Sequence, residues 1–241
     1  MNKTKHRVPM PMEKKAKTLA GKAISKKVME GELLGKFADK LLAANELLQM
    51  IEQNFSLLPQ VFRGVSSSKA SIRYSCAKVL MNLSDAYPEK LYRYMDSFVG
   101  LLDSKYRILT WNAMAIIANL VRVDKKKKFD AIFDKYYSFL DDEYMVTVAN
   151  VVGHSGEIAL AKPYLIDRIA DELLKVENIS LTPHLTEECK RVIIEKAIHS
   201  FDLFFDRVKQ KRRIISFVEK YSNSPRRTLR AAAGDFLKKW G

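Results

Sequence analysis

Glycine and proline are scarce in this chain, with 9 and 7 among 241 residues. Cysteine is scarcer: Cys76 and Cys189 are the two present, and both fall inside helical apolar patterns. They read as small core side chains with free thiols, since no electropositive setting surrounds either one. Histidine occurs at His6, His154, His184 and His199, without metal-ligand spacing. "PHLTEEC" sets His184 five residues before Cys189, but further ligands are missing. No run approaches the ~18 uninterrupted apolar residues of a membrane helix. The stretch "MNKTKHRVPMPMEKKAKTLAGKAISKK" has no apolar segment behind its charges. No secretory signal is therefore expected there, no membrane partner is expected, and the cytoplasm is the simplest location.

Motifs that carry chemistry are missing too. There is no glycine-rich phosphate loop and no G-x-S-x-G elbow with its α/β sheet. "GHSGE" sets Ser155 beside His154, but chain neighbours rarely share a catalytic geometry. Its two glycines are read as a break after a helix over about 143–153. The acidic pairs Asp141–Asp142 and Glu187–Glu188 fall at expected helix starts, where capping and the helix dipole account for them. Trp111, Tyr136, Tyr137, Phe201, Phe204 and Phe205 fall at core spacing. No catalytic residue, metal, cofactor or small-molecule substrate is assigned, and the chain is expected not to be an enzyme.

Charge of one sign is plentiful. The net charge is +14, and it sits at the two ends. Residues 1–40 hold 11 Lys/Arg against 4 Asp/Glu, residues 206–241 hold 11 against 3, and the middle is close to neutral. Basic ends attract polyanions. "KKKK" at 125–128 occupies a turn, with Asp124, Asp130 and Asp134 weakening its field. "RVKQKRR", from Arg207 to Arg213, is expected on a single helix, and "SPRRTLR" follows on its partner. Arg207, Lys209, Lys211, Arg212, Arg213, Arg226, Arg227 and Arg230 are the candidate polyanion-binding residues, expected to form one edge patch.

One helix is written repeatedly. In "SIRYSCAKVLMNL" the residues Ile72, Cys76, Leu80 and Leu83 stand at i, i+4, i+8 and i+11, one face of an α-helix. Leu109, Ala113, Ile117 and Leu120 repeat the offsets in "ILTWNAMAIIANL", and Leu229, Ala233, Leu237 and Trp240 repeat them in "TLRAAAGDFLKKW". Before each copy comes another amphipathic helix that ends in a polar turn. The unit is helix–turn–helix with a period of roughly 37–40 residues, as in α-solenoids. Further helices are expected over about 162–176, from Thr186 as a cap into "EECKRVIIEKAIHSFDLFF", and over "DRVKQKRRIISFVEKYS". Residues 28–53 are expected to cap the array, and 1–27 to form a basic, partly disordered segment before a single domain over 28–241.

These residues resemble HEAT repeats. The aliphatic–Arg pairs Ile72–Arg73 and Leu229–Arg230, then Ala77 and Leu80, or Ala231 to Ala233, are similar to the second helix of that motif; Thr110 departs from it in the second copy. The endings Asn82–Leu83 and Asn119–Leu120 resemble armadillo repeats. The resemblance implies an all-α fold, a right-handed α-solenoid of about five HEAT-like helix pairs. It also implies a non-enzymatic scaffold that binds a protein or peptide on its concave face, with Asn82 and Asn119 contacting the partner's backbone. The Trp that armadillo repeats carry one turn before that Asn is absent from both copies. The alternative it implies is a nucleic-acid-binding protein that uses the basic C-terminal repeat. The least favoured form is a DNA glycosylase for alkylated bases, because no Asp follows one turn after Trp111.

Overall fold

The computed structural model describes residues 44–241. The basic segment 1–27 and the start of the expected capping helices lie outside the described residues. The helices are α1 (Ala44–Gln53), α2 (Leu58–Val65), α3 (Ala70–Ala86), α4 (Pro88–Leu91), α5 (Met95–Leu101) and α6 (Arg107–Val121), followed by α7 (Lys128–Ser138), α8 (Met145–Ala161), α9 (Ile166–Leu174), α10 (Glu187–Phe204), α11 (Lys211–Glu219) and α12 (Arg227–Trp240). Short 3₁₀ turns precede or end several of them. Among the described residues there is no strand, and Thr182 and Leu185 form an isolated bridge.

The described residues divide into two compact units, one ending at Val79 and the other Leu80–Gly241, with the division inside α3. In the first unit, Leu58, Val61 and Val65 of α2 are buried, as are Leu47 and Ile51 of α1. Arg73 is buried here as well. Its Nη1 donates to the Ser67 carbonyl at 2.8 Å and the Ser68 carbonyl at 3.2 Å. The arginine of the repeat motif thus satisfies carbonyls in the turn after the short helix.

In the second unit long and short helices alternate. The long ones form one row, with α6 packed on α8, α8 on α10 and α10 on α12. The expected core stripes are buried: Leu109, Ala113, Ile117 and Leu120 in α6, and Leu229 and Ala233 in α12. Leu237 and Trp240, the last two of the α12 stripe, are half-buried. Phe98, Phe129, Phe133 and Tyr136 fill the core beneath the short helices, with the Phe129 and Tyr136 rings edge-on at 5.4 Å. Thr186 caps α10 as expected, its side chain accepting from the Cys189 N–H. Cys76 and Cys189 are free thiols; burial pushes Cys76 up to about 11, and Cys189 is half-buried.

Two expectations are corrected. "GHSGE" is no break, because α8 runs from Met145 to Ala161 straight through Gly153 and Gly156. Gly156 serves packing instead. A Cβ there would stand 2.6 Å from Leu203 Cδ1 and 3.2 Å from the Ser200 Cα and carbonyl oxygen, so the missing side chain lets α10 lie close against α8. The segment Arg207–Arg213 is not one helix either. Arg207 ends a 3₁₀ turn, Lys209 lies in a connection, and α11 opens at Lys211. Val208, a buried anchor in extended conformation, interrupts it.

Candidate partner-binding face

The long helices of the second unit bury one face and present another. In α6 and its C-cap the presented positions are Ile108, Asn112, Ala115, Asn119 and Arg122; in α8 they are Val146, Asn150, Gly153, Glu157 and Leu160. Both sets run i, i+4, i+7, i+11 and i+14, which is one side of a helix. In α10 the same spacing picks out Val192, Lys196, His199 and Leu203. Neighbouring helices are held in step. Trp111 Nε1 donates to Thr147 Oγ1 at 3.0 Å, and Ser200 Oγ donates to the Val152 carbonyl at 2.7 Å.

This face mixes exposed apolar side chains with polar ones. Ile108, Val146, Leu160 and Leu203 are exposed, with Leu203 at 48%. Between them lie carboxamides. Asn150 Nδ2 donates to the Val146 carbonyl at 2.7 Å, and Asn112 makes no hydrogen bond among the described residues. Asn82 is exposed on α3. Asn119 is half-buried and donates from Nδ2 to Ser84 Oγ at 3.0 Å, so part of its amide ties α6 to α3. Sequence reading passed over Asn112, Asn150 and the exposed apolar residues. Their signal was present as apolar residues one position outside the core stripe.

His154 lies at the border of this face. Burial lowers its pKa from 6.5, Glu157 opposes that and Lys196 adds to it, which favours the neutral imidazole. Lys196 extends over Gly153, with its Nζ 3.8 Å from where a Cβ would be.

The eight basic candidates separate into two groups at opposite ends of α11, a helix of about 14 Å. Lys209 Nζ lies 3.3 Å from Asp167, and Arg213 pairs with Asp171. Arg207 lies 3.7 Å from Asp206, while Lys211 stands over the Phe205 ring. At the other end Arg226 bridges Glu188 and Glu195, and Arg230 donates to the Ser224 carbonyl. Arg212 and Arg227 are exposed. A cleft of about 560 Å³ between α9 and α11 alternates Asp171 and Glu177 with Arg212, Arg213 and Lys220.

A buried ionic centre holds three successive turns. Asp124 accepts from the backbone N–H groups of Lys128 at 2.9 Å and Phe129 at 3.0 Å, and from the Tyr92 hydroxyl. Lys162 Nζ lies 3.0 Å from its carboxylate and donates to its carbonyl at 2.9 Å. The Asp124 side chain is wholly buried, and that of Lys162 is 5% exposed. Burial works to raise the Asp124 pKa, but these hydrogen bonds outweigh it and hold the group below its ordinary 3.8. Lys127, at φ 54°, takes the left-handed conformation that closes the turn. Among the described residues no cluster of His, Cys, Asp and Glu is arranged to hold a metal ion, and no helix is long and apolar enough to cross a membrane.

Alternating helices stacked in rows are also what the comparisons with solved structures return. A designed armadillo repeat protein superposes with a TM-score of 0.56 over 86% of this chain and 92% of its own, at 18% identity. Another, solved in complex with the peptide (KR)4, reaches 0.59 over 88% and 92%, at 15% identity. This chain is an all-α solenoid of the armadillo/HEAT-like helical repeat fold. Computationally designed armadillo repeat proteins for modular peptide recognition match this repeat fold at 0.54 over 81% and 87%, with 17% identity. No family model and no curated protein matches the sequence.

Proposed function

We propose that this repeat protein is a non-enzymatic scaffold that binds a protein or peptide segment along the presented face of its long helices, as the concave face of the solenoid. The exposed apolar residues Ile108, Val146, Leu160 and Leu203, set along one side of three neighbouring long helices, carry this reading, because apolar side chains left exposed on a shared face offer anchors to a partner. Carboxamides supply the second ingredient. Each offers donors and an acceptor, which matches the repeating polarity of an extended backbone. Asn112 and Asn150 occupy equivalent positions two turns before Asn119 and Glu157, and Asn82 and Asn119 would extend the series. One structural neighbour holds a cationic peptide. A chain of net charge +14 would repel such a ligand, so an uncharged or acidic segment with apolar anchors is favoured.

Selection of a displayed random-peptide library on the full chain tests this. Selected peptides should share apolar anchors, and the double variant Ile108→Asp/Val146→Asp, with unchanged helicity, should weaken them at least tenfold. Peptides that bind the variant equally well would remove the face from consideration.

A further inference from the structure

A second surface stands apart from that face, at the edge where long helices end and short ones begin. Three turns meet there: residues 122–127 before α7, residues 162–165 before α9, and residues 205–210 before α11. The first contains the lysine run. In sequence, its neighbours Asp124, Asp130 and Asp134 weaken it. In the fold, all three are already engaged. Asp124 faces inward to Lys162 and the backbone, Asp130 accepts from the Tyr164 hydroxyl at 2.9 Å, and Asp134 pairs with Arg168. Lys125, Lys126 and Lys127 are exposed, and none forms an ion pair among the described residues.

The turns lie side by side. Lys162 reaches back to Asp124, and Lys127 Nζ lies 4.9 Å from the centre of the Tyr164 ring. Asp167, in the first turn of α9, takes the Lys209 backbone N–H at 2.9 Å. The connection from Arg207 to Lys211 therefore lies beside the start of α9. Acids on this edge are few and held: Asp96 by Lys128, Asp167 by Lys209, and Asp206 loosely by Arg207. Exposed pairs of this kind hold weakly and can be traded for phosphate contacts. Tyr164 stands in the middle, 55% exposed, its hydroxyl tied down by Asp130.

We infer that this edge binds single-stranded nucleic acid. Lys125, Lys126, Lys127, Arg207 and Lys211 take backbone phosphates, and the Tyr164 ring takes a base in exchange for the Lys127 ammonium. Cations tracking a backbone beside a fixed aromatic ring make up the general arrangement for single strands. A protein partner fits the edge poorly, since lysine is depleted at protein interfaces and Tyr164 is the large exposed apolar group here. The inference rests on the charge of this edge and not on the partner-binding face, so each stands or falls alone.

Fluorescence polarisation with short labelled DNA and RNA single strands, across a series of salt concentrations, tests it on the full chain. Affinity should fall with salt, and the triple variant Lys125→Ala/Lys126→Ala/Lys127→Ala should flatten the log–log slope by about 2, at ~0.7 per phosphate lost. Tyr164→Ala should weaken binding about tenfold and Tyr164→Phe should not, while Arg227→Ala at the opposite edge should change nothing. Absence of binding, binding unaffected by the edge variants, or equal displacement by polyglutamate or phosphatidylserine vesicles would each overturn the assignment.

Discussion

Gly153 and Gly156 occupy the same helix, three residues apart, and have opposite consequences. A methyl group on Gly153 meets only the end of Lys196 at ordinary contact distance. Gly153→Ala should therefore raise stability by about 0.5–1 kcal/mol through helix propensity alone. Gly156 faces the backbone of Ser200, which cannot turn aside as a side chain can. Gly156→Val should cost ~2–3 kcal/mol by overpacking, and urea melts of the two variants should move in opposite directions. His154 provides a pH test at the same scale. Its folded pKa lies below 6.5, so the unfolded chain binds more protons as pH drops below that value. Stability is then fully present above about pH 6.5 and declines below it. His154→Leu should flatten that limb of a stability–pH curve, and an unchanged limb would assign it to other groups.

Elements are joined by two kinds of polar contact, one buried and one exposed. The buried pair Asp124–Lys162 ties the turn before α7 to the turn before α9. Removing one partner leaves the other charged and desolvated, so Asp124→Ala should cost about 3–5 kcal/mol. The double variant Asp124→Leu/Lys162→Met should recover only part of it, because the Lys128 and Phe129 N–H groups and the Tyr92 hydroxyl still lose their acceptor, as a denaturation cycle would show. The exposed contacts form a ladder along the short helices. Lys128 and Lys135 of α7 reach Asp96 of α5 and Asp103 in the turn after it, Arg168 of α9 reaches Asp134, and Arg213 and Lys220 reach Asp171 and Glu177. In each pair the acid belongs to the earlier repeat and the cation to the later one. Such pairs contribute roughly 0–1 kcal/mol each, so they orient neighbours more than they stabilise them.

Across the whole molecule, stability is spread along an array in which a helix pair cannot bury its apolar surface alone. Leu80 is fully buried in α3, and a carboxylate there has no partner. Leu80→Asp should abolish the cooperative thermal transition and lower far-ultraviolet helicity, whereas retention of both would mean that the stripe of α3 is misplaced. Charge also has its meaning at this scale. Residues 41–205 are nearly neutral in sum, and many of their acids are paired with cations along the ladder. The excess is left at edges and ends, which frees it to meet polyanions.

Helical periodicity, the near-absence of glycine and proline and the repeated stripes of Leu109 and Leu229 were enough to write the all-α solenoid from sequence, because burying a stripe on each helix depends on spacing alone. The cap at Thr186 was legible for the same local reason. Distances between repeats are not local. Whether Gly156 ends a helix or admits a neighbour depends on Ser200, 44 residues further on. Whether Asp124 weakens the lysine run or turns away from it depends on Lys162, and whether Asn119 is free depends on Ser84. Arg207 and Arg226 are near in the chain, yet α11 separates their charges to its two ends. Composition and period determined what kind of structure this chain forms. Only stacking decided which side chains remain for a partner, since each repeat consumes some of its neighbour's polar groups.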